Sequence, residues 1–139
     1  NELEMGGRNW RVVTADGHAD EHASFLSADD KIVIAGDQVL QRISPVVGVF
    51  TGEPLADPLT SYLASLERFR GLPETTLVLP SHGLPFWGLD ARLRQLEEHH
   101  RKRLEHAHDA LDRPRTATEC SHVLFARAIE GGQWYLALA

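Results

Sequence analysis

Asp16-Gly17-His18, Gly36-Asp37 and Pro80-Ser81-His82-Gly83 are the segments of this sequence whose residue types could do chemistry. Imidazole and carboxylate are the usual nitrogen and oxygen ligands of zinc and similar divalent ions. An aspartate can span two cations with its oxygens, and an imidazole leaves room around a metal for water. Gly17, Gly36 and Gly83 permit tight turns and close backbone approach beside each polar residue. By spacing alone a plainer reading has equal standing, with Asp37 as a turn residue and His18 and His82 as hydrogen-bonded loop residues.

For these segments to act together, secondary structure must end beside each of them. Trp10–Thr14 alternates as a strand does, and His22–Leu26 and Lys31–Ala35 flank Asp29-Asp30, which reads as a tight hairpin turn. Thr76–Leu79 is a short apolar run closed by Pro80, the pattern of a strand buried on both faces. Between the third and fourth strands Asp57 caps a helix, with Pro58 at its first position and Gly71 past its end. Its apolar stripe is Leu59, Tyr62, Leu63, Leu66 and Phe69. The polar segments therefore follow the first, third and fourth strands, where layered α/β proteins collect ligands.

A longer helix follows Gly88 and runs to about Asp112, with Leu89, Leu93, Leu96, His100, Leu104, Ala107 and Leu111 on one stripe until Pro114 stops it. Thr116-Ala-Thr-Glu119 then reads as a capping box opening a further helix to about Ile129, before Gly131-Gly132. The order βββαβ followed by helices predicts an α/β (α+β) layer, residues 1–88, with a helical appendage, residues 89–139.

Composition narrows the class. A length of 139 residues suits one domain or one with a small appendage, and 42% apolar with 24% charged residues suits a globular chain. No apolar run approaches the roughly 20 residues that span a bilayer, and no signal peptide opens the chain. The lone Cys120 excludes an internal disulfide and suits a reducing compartment, so a cytoplasmic location is expected, with Cys120 itself a small core residue.

The net charge of −6 counts against bulk attraction to nucleic acid or anionic membrane. Arg92, Arg94, Arg101, Lys102 and Arg103 could meet a phosphate-bearing ligand, but the interleaved Glu97, Glu98 and Glu105 favour a solvated face. Nucleic acid stays open as a partner without being favoured. Of the 8 histidines, His99, His100, His106 and His108 share one helix, yet none is three or four residues from another. They cannot form the adjacent-turn pair of a helical metal site. Asn1 is not an initiator Met and the chain stops inside the apolar run Trp134–Ala139, which suggests a piece of a larger protein.

In their order, Gly17-His18-Ala-Asp-Glu-His22, Ala35-Gly-Asp37-Gln-Val-Leu40 and Leu79-Pro-Ser-His82-Gly83 resemble the motifs of the C-terminal half of a metallo-β-lactamase-fold hydrolase. The Pro80–Leu89 segment, followed by an Arg- and His-bearing helix, resembles the bacterial branch with a helical, winged-helix-like C-terminal extension. The resemblance implies half of an αββα sandwich. It implies His18 as a ligand of a first metal, Asp37 as the carboxylate bridging two metals, and His82 as a ligand of the second. Two zinc ions, or other divalent metals, would then make a bound hydroxide that attacks an ester, thioester, lactone, amide or phosphodiester bond of a small molecule. His22 matches a family position that does not normally bind metal, so it is expected to support the site by hydrogen bonding.

Two departures from the family pattern matter. Ala19-Asp20 stands where Thr/Ser-Pro is usual, and no His-x-His-x-Asp-His motif occurs in the sequence. In the family that motif lies in the preceding half. Each metal is therefore left with one His and the shared Asp37, against four protein ligands in structural zinc sites and usually three in catalytic ones. The isolated chain is expected to bind zinc weakly and hydrolyse little. Half a sandwich should also expose an apolar sheet face, which would self-associate or pair with the missing N-terminal half. The rival expectation is a metal-free scaffold or interaction module that keeps the fold without chemistry.

Overall fold

A computed structural model of the chain describes residues 1–50 and 52–125. Five strands form one sheet in the order β1-β2-β3-β4-β5. β1 (Glu2–Met5), β2 (Arg8–Ala15), β3 (His22–Ser27) and β4 (Ile32–Gly36) pair antiparallel, and β5 (Leu77–Pro80) lies parallel to β4.

β1 is not predicted from the sequence because Glu2–Met5 is only four residues long and largely exposed, too short for its Glu-Leu-Glu-Met alternation to stand out. The neighbouring Gly6-Gly7 carries the signal instead. Both glycines have positive φ, 62° and 71°, as a primed hairpin turn requires. The hairpin holds through the pairing of Leu3 with Trp10, and the Trp10 indole N–H donates to the Met5 carbonyl at 3.1 Å.

Asp29 and Asp30 do turn the chain between β3 and β4, but the turn also takes in Ala28 and Lys31. The Lys31 N–H donates to the Ala28 carbonyl at 3.3 Å, and the Ser27 hydroxyl donates to the Asp30 carboxylate at 2.8 Å.

The crossover to the parallel strand is α1 (Pro58–Leu66), extended by one 3-10 turn, Glu67–Phe69. Asp57 caps it, accepting the Thr60 N–H at 3.1 Å. The predicted stripe is the buried one: Tyr62, Leu66 and Phe69 join Val13, Ala15, Val33, Ala35 and Val78 in the core. α2 (Leu89–Ala110) begins after Gly88, whose φ is 79°, and inserts Leu89, Leu93 and Leu96 into that same core. Its stripe then surfaces, since Leu104 and Leu111 are each 52% exposed. α3 (Ala117–Leu124) carries the predicted capping box between Thr116 and Glu119, with Cys120 half-buried along it. It stops short of Ile129 because Phe125 is already extended, its ring held 4.6 Å beneath the Arg103 guanidinium. Gly131-Gly132 and Trp134–Ala139 lie outside the described residues. Among the described residues no helix is long and apolar enough to cross a membrane.

The buried apolar residues of α1 and α2 meet one face of the sheet, and α3 packs against α2. On the other face the register aligns Val12, Phe25, Ile34 and Leu79 in one row across four strands, none of them in the core cluster and each only half-buried. The expectation that β5 is buried on both faces is therefore corrected: Val78 is fully buried, but Leu77 and Leu79 look onto the uncovered side. The outer edge of β5 is closed by Phe86, which exchanges hydrogen bonds of 2.8 and 3.0 Å with Val78.

Candidate metal centre

β2, β4 and β5 run in one direction and β3 in the other. The loops after β2, β4 and β5 and the start of β3 therefore share one end of the sheet. That end brings together His18, His22, Asp37, Ser81 and His82, which span 65 positions of the chain from 18 to 82.

The loop after β2 is fixed from behind. Gly17 has φ +96°, and a Cβ there would collide with the Pro58 carbonyl and the Tyr62 side chain, so only glycine lets α1 come this close. A buried polar network joins the same parts. The Gln38 amide donates to Ser65 Oγ at 2.7 Å and to the Asp16 carbonyl at 3.3 Å. The Tyr62 hydroxyl donates to the Gln38 carbonyl at 3.2 Å, and burial raises its pKa so that it stays a neutral donor. These bonds tie the loops carrying His18 and Asp37 to one helix.

His18 Nδ1 lies 2.8 Å from the Val46 carbonyl, which fixes the proton on Nδ1 and leaves the Nε2 lone pair free. Nε2 faces Asp37 Oδ2 at 3.7 Å, while His82 Nε2 faces Oδ1 of the same carboxylate at 3.4 Å. The Ser81 hydroxyl donates to Oδ1 as well. Each imidazole thus has its own Asp37 oxygen. His18 and Asp37 are largely covered, whereas the His82 side chain is 69% exposed, so the site opens to solvent on the His82 side.

His22 faces Asp37 differently. Its Nε2 accepts the Asp37 backbone N–H at 3.3 Å, and its ring lies so close to Gly36 that a Cβ there would come within 2.7 Å. Burial, then the adjacent His18, lowers the His22 pKa and keeps the ring neutral. Its Nδ1 is buried without a partner.

The donor set fits a divalent cation. Two ligands of one tetrahedral zinc, each about 2.1 Å from it, lie about 3.4 Å apart. The His82–Asp37 and His18–Asp37 separations of 3.4 and 3.7 Å are close to that value. Each pair sets an imidazole nitrogen against a carboxylate oxygen, an arrangement that a cation or a proton bridges. Among the described residues no three His, Cys, Asp or Glu side chains converge on one point. On each side of the Asp37 carboxylate this chain sets one His nitrogen against one oxygen. A cleft of about 670 Å³, lined by Asp16, His18, Asp20, Phe50 and Pro58 among others, flanks His18 without reaching Asp37 or His82.

The histidines of α2 stay away from this end. His99, His106 and His108 are exposed, and His100 is buried against the Tyr62 ring at 5.6 Å between centroids. The sequence reading passed over Ser81, Gln38, Ser65 and the Val46 carbonyl. Ser81 lies inside the Pro-Ser-His segment, and Ser65 is a small polar residue beside the buried stripe of α1. Either could have been found by that placement.

The family model described as the metallo-beta-lactamase superfamily matches residues 1–82. A probable metallo-hydrolase, YqjP, of Bacillus subtilis (strain 168) is 30% identical over 129 residues, covering 90% of this chain and 40% of its own. A beta-lactamase domain protein from Burkholderia ambifaria superposes with a TM-score of 0.91 at 42% identity, covering 99% of this chain and 41% of its own. A metallo-beta-lactamase family protein from Thermus thermophilus superposes at 0.86 and 34% identity, covering 100% and 43%. The chain thus spans about 40% of the length of these relatives.

Proposed function

The chain belongs to the metallo-beta-lactamase superfamily, and from that premise we propose that it supplies one side of a two-metal hydrolytic centre, zinc being the expected ion. The observation that carries this reading is Asp37, whose two oxygens face the Nε2 atoms of His18 and His82 at 3.7 and 3.4 Å. His18 and His82 hold one metal each, and Asp37 joins them. Bound there, the metal pair supplies the Lewis acidity that makes water a nucleophile near neutral pH.

The protein's own residues set the geometry. The Val46 carbonyl fixes the His18 tautomer, the Ser81 hydroxyl holds one Asp37 oxygen, and His22 holds the Asp37 backbone. The bond cleaved is an ester, thioester, lactone, amide or phosphodiester of a small molecule. Residues 1–88 act as half of the catalytic domain, and α2 with α3 begin a helical extension.

We assign the uncovered row Val12, Phe25, Ile34 and Leu79 to the sheet of a preceding half, which also brings the remaining ligands. The 139-residue chain by itself is expected to bind zinc more weakly than micromolar and to hydrolyse little, which calorimetry and an esterase assay check; sub-micromolar affinity would refute it. The deciding experiment is metal analysis of the longer protein that includes the preceding half. Close to two metals per chain supports the hydrolase, and none supports a scaffold that has kept the fold without the chemistry.

A further inference from the structure

The basic residues of α2 divide into two faces, and only one is neutralised. Arg94 pairs with Asp90, Arg101 with Glu98 and Glu105, and Lys102 with Glu98 at 3.2 Å. Arg92, His99 and Arg103 fall on a different face, at intervals of seven and four residues. Among the described residues none of these three has a carboxylate within ion-pair reach, and neither has Arg42 opposite them. Arg92 donates instead to the Leu40 and Ile43 carbonyls at 2.6 and 2.8 Å, which fixes the loop carrying Arg42 as a wall.

Between that loop and α2 runs a groove with two connected parts. One, of about 470 Å³, is lined by Arg42, Arg92, His99 and Arg103 among others. The other, of about 310 Å³, shares Ser44, His99 and Arg103 with it and continues over Val47, Leu59, Leu104 and Leu124. Among the described residues no Asp or Glu lines either part, in a chain whose net charge is −6. His100 lines the apolar part and is 8% exposed, with a buried Nε2 that has no partner. Val46, whose carbonyl holds His18, lines the same part, so the groove backs onto the metal-site loop.

We propose that this groove binds an amphiphilic anion, a carboxylate or phosphate carried on an apolar chain, as the recognition end of the substrate. Arg42 and Arg103 meet the anionic head, and Leu59, Leu104 and Leu124 cover the tail. The anionic head brings Arg42 and Arg103 the carboxylate-like acceptors they lack, and the tail takes Leu59, Leu104 and Leu124 out of water. Only the word substrate rests on the hydrolase reading; the binding does not.

Calorimetry in the presence of chelator, with octyl phosphate, octanoate and the uncharged octyl glucoside as probes, tests it. Both anions are expected to bind and the glucoside not, the stronger anion showing whether phosphate or carboxylate is preferred. Arg42→Ala, an exposed change, and Arg103→Gln should each weaken anion binding about tenfold or more. Arg101→Gln, on the paired face, should leave it unchanged. Equal binding of the glucoside, an equal loss in Arg101→Gln, or binding of an RNA oligomer but neither amphiphile overturns the proposal. Asp37→Ala should weaken metal binding and leave the octyl phosphate result unchanged, so the two readings fail separately.

Discussion

Histidines occur in two settings in this protein, and the contrast explains why one set makes a site. His18 and His22 lie 60 or more positions from His82, yet the loops after β2 and β5 and the start of β3 bring all three around Asp37. His99, His100, His106 and His108 are close in sequence on α2, yet the helix turns them apart, three to solvent and one into the core. A sheet converges what lies at its strand ends, whereas a helix disperses neighbours that miss the three- or four-residue spacing. Proximity in sequence is the poorer guide to a shared site.

That contrast can be broken by substitution, most severely at the support of the sheet end. Gly17→Ala forces a Cβ into Pro58 and Tyr62 at a left-handed backbone position. A loss on the order of 4 kcal/mol is expected in urea unfolding. Asp37→Ala leaves the fold intact and removes the shared ligand, so metal affinity measured by calorimetry should fall at least about 100-fold.

On the helix side the largest effect depends on pH. Burial, with His99 and Arg103 adding to it, pushes the His100 pKa from its ordinary 6.5 down to about 4. The folded state therefore prefers the neutral ring. That stability is fully present above pH 6.5 and is lost as pH falls towards 4, by up to about 3 kcal/mol. His100→Phe should remove this share of the acid sensitivity in urea midpoints measured across the range.

His22→Ala should weaken metal binding about tenfold by freeing the Asp37 backbone. Replacing both His106 and His108 by alanine should change stability by no more than about 0.5 kcal/mol and metal affinity not at all. A larger effect would mean the two settings are less distinct than their geometry implies.

What could be read from the residues alone follows the same division. His18, Asp37 and His82 were legible because each sits beside a glycine after an apolar run, and the α1 stripe because Leu59 to Phe69 keeps helical spacing. β1 was not, since four residues are too few to show an alternation and its hold comes from pairing with β2. The Gln38–Ser65 bond joins side chains 27 positions apart, so the place of Ser65 beside the α1 stripe does not name Gln38 as its partner. The half-covered second face of β5 was hidden for a related reason, since an apolar run alone does not say which neighbour covers each side.

The parallel pairing of β4 with β5 has a consequence in the time domain. Asp37 and Ser81, 44 positions apart, meet only after the crossover through α1 has closed. Long-range parallel pairing is slow to form, because the loop must close before its contacts reward it. A cation held between Asp37 and His82 would bind only the closed form and act as a latch, slowing hydrogen exchange at the β4–β5 amides by mass action.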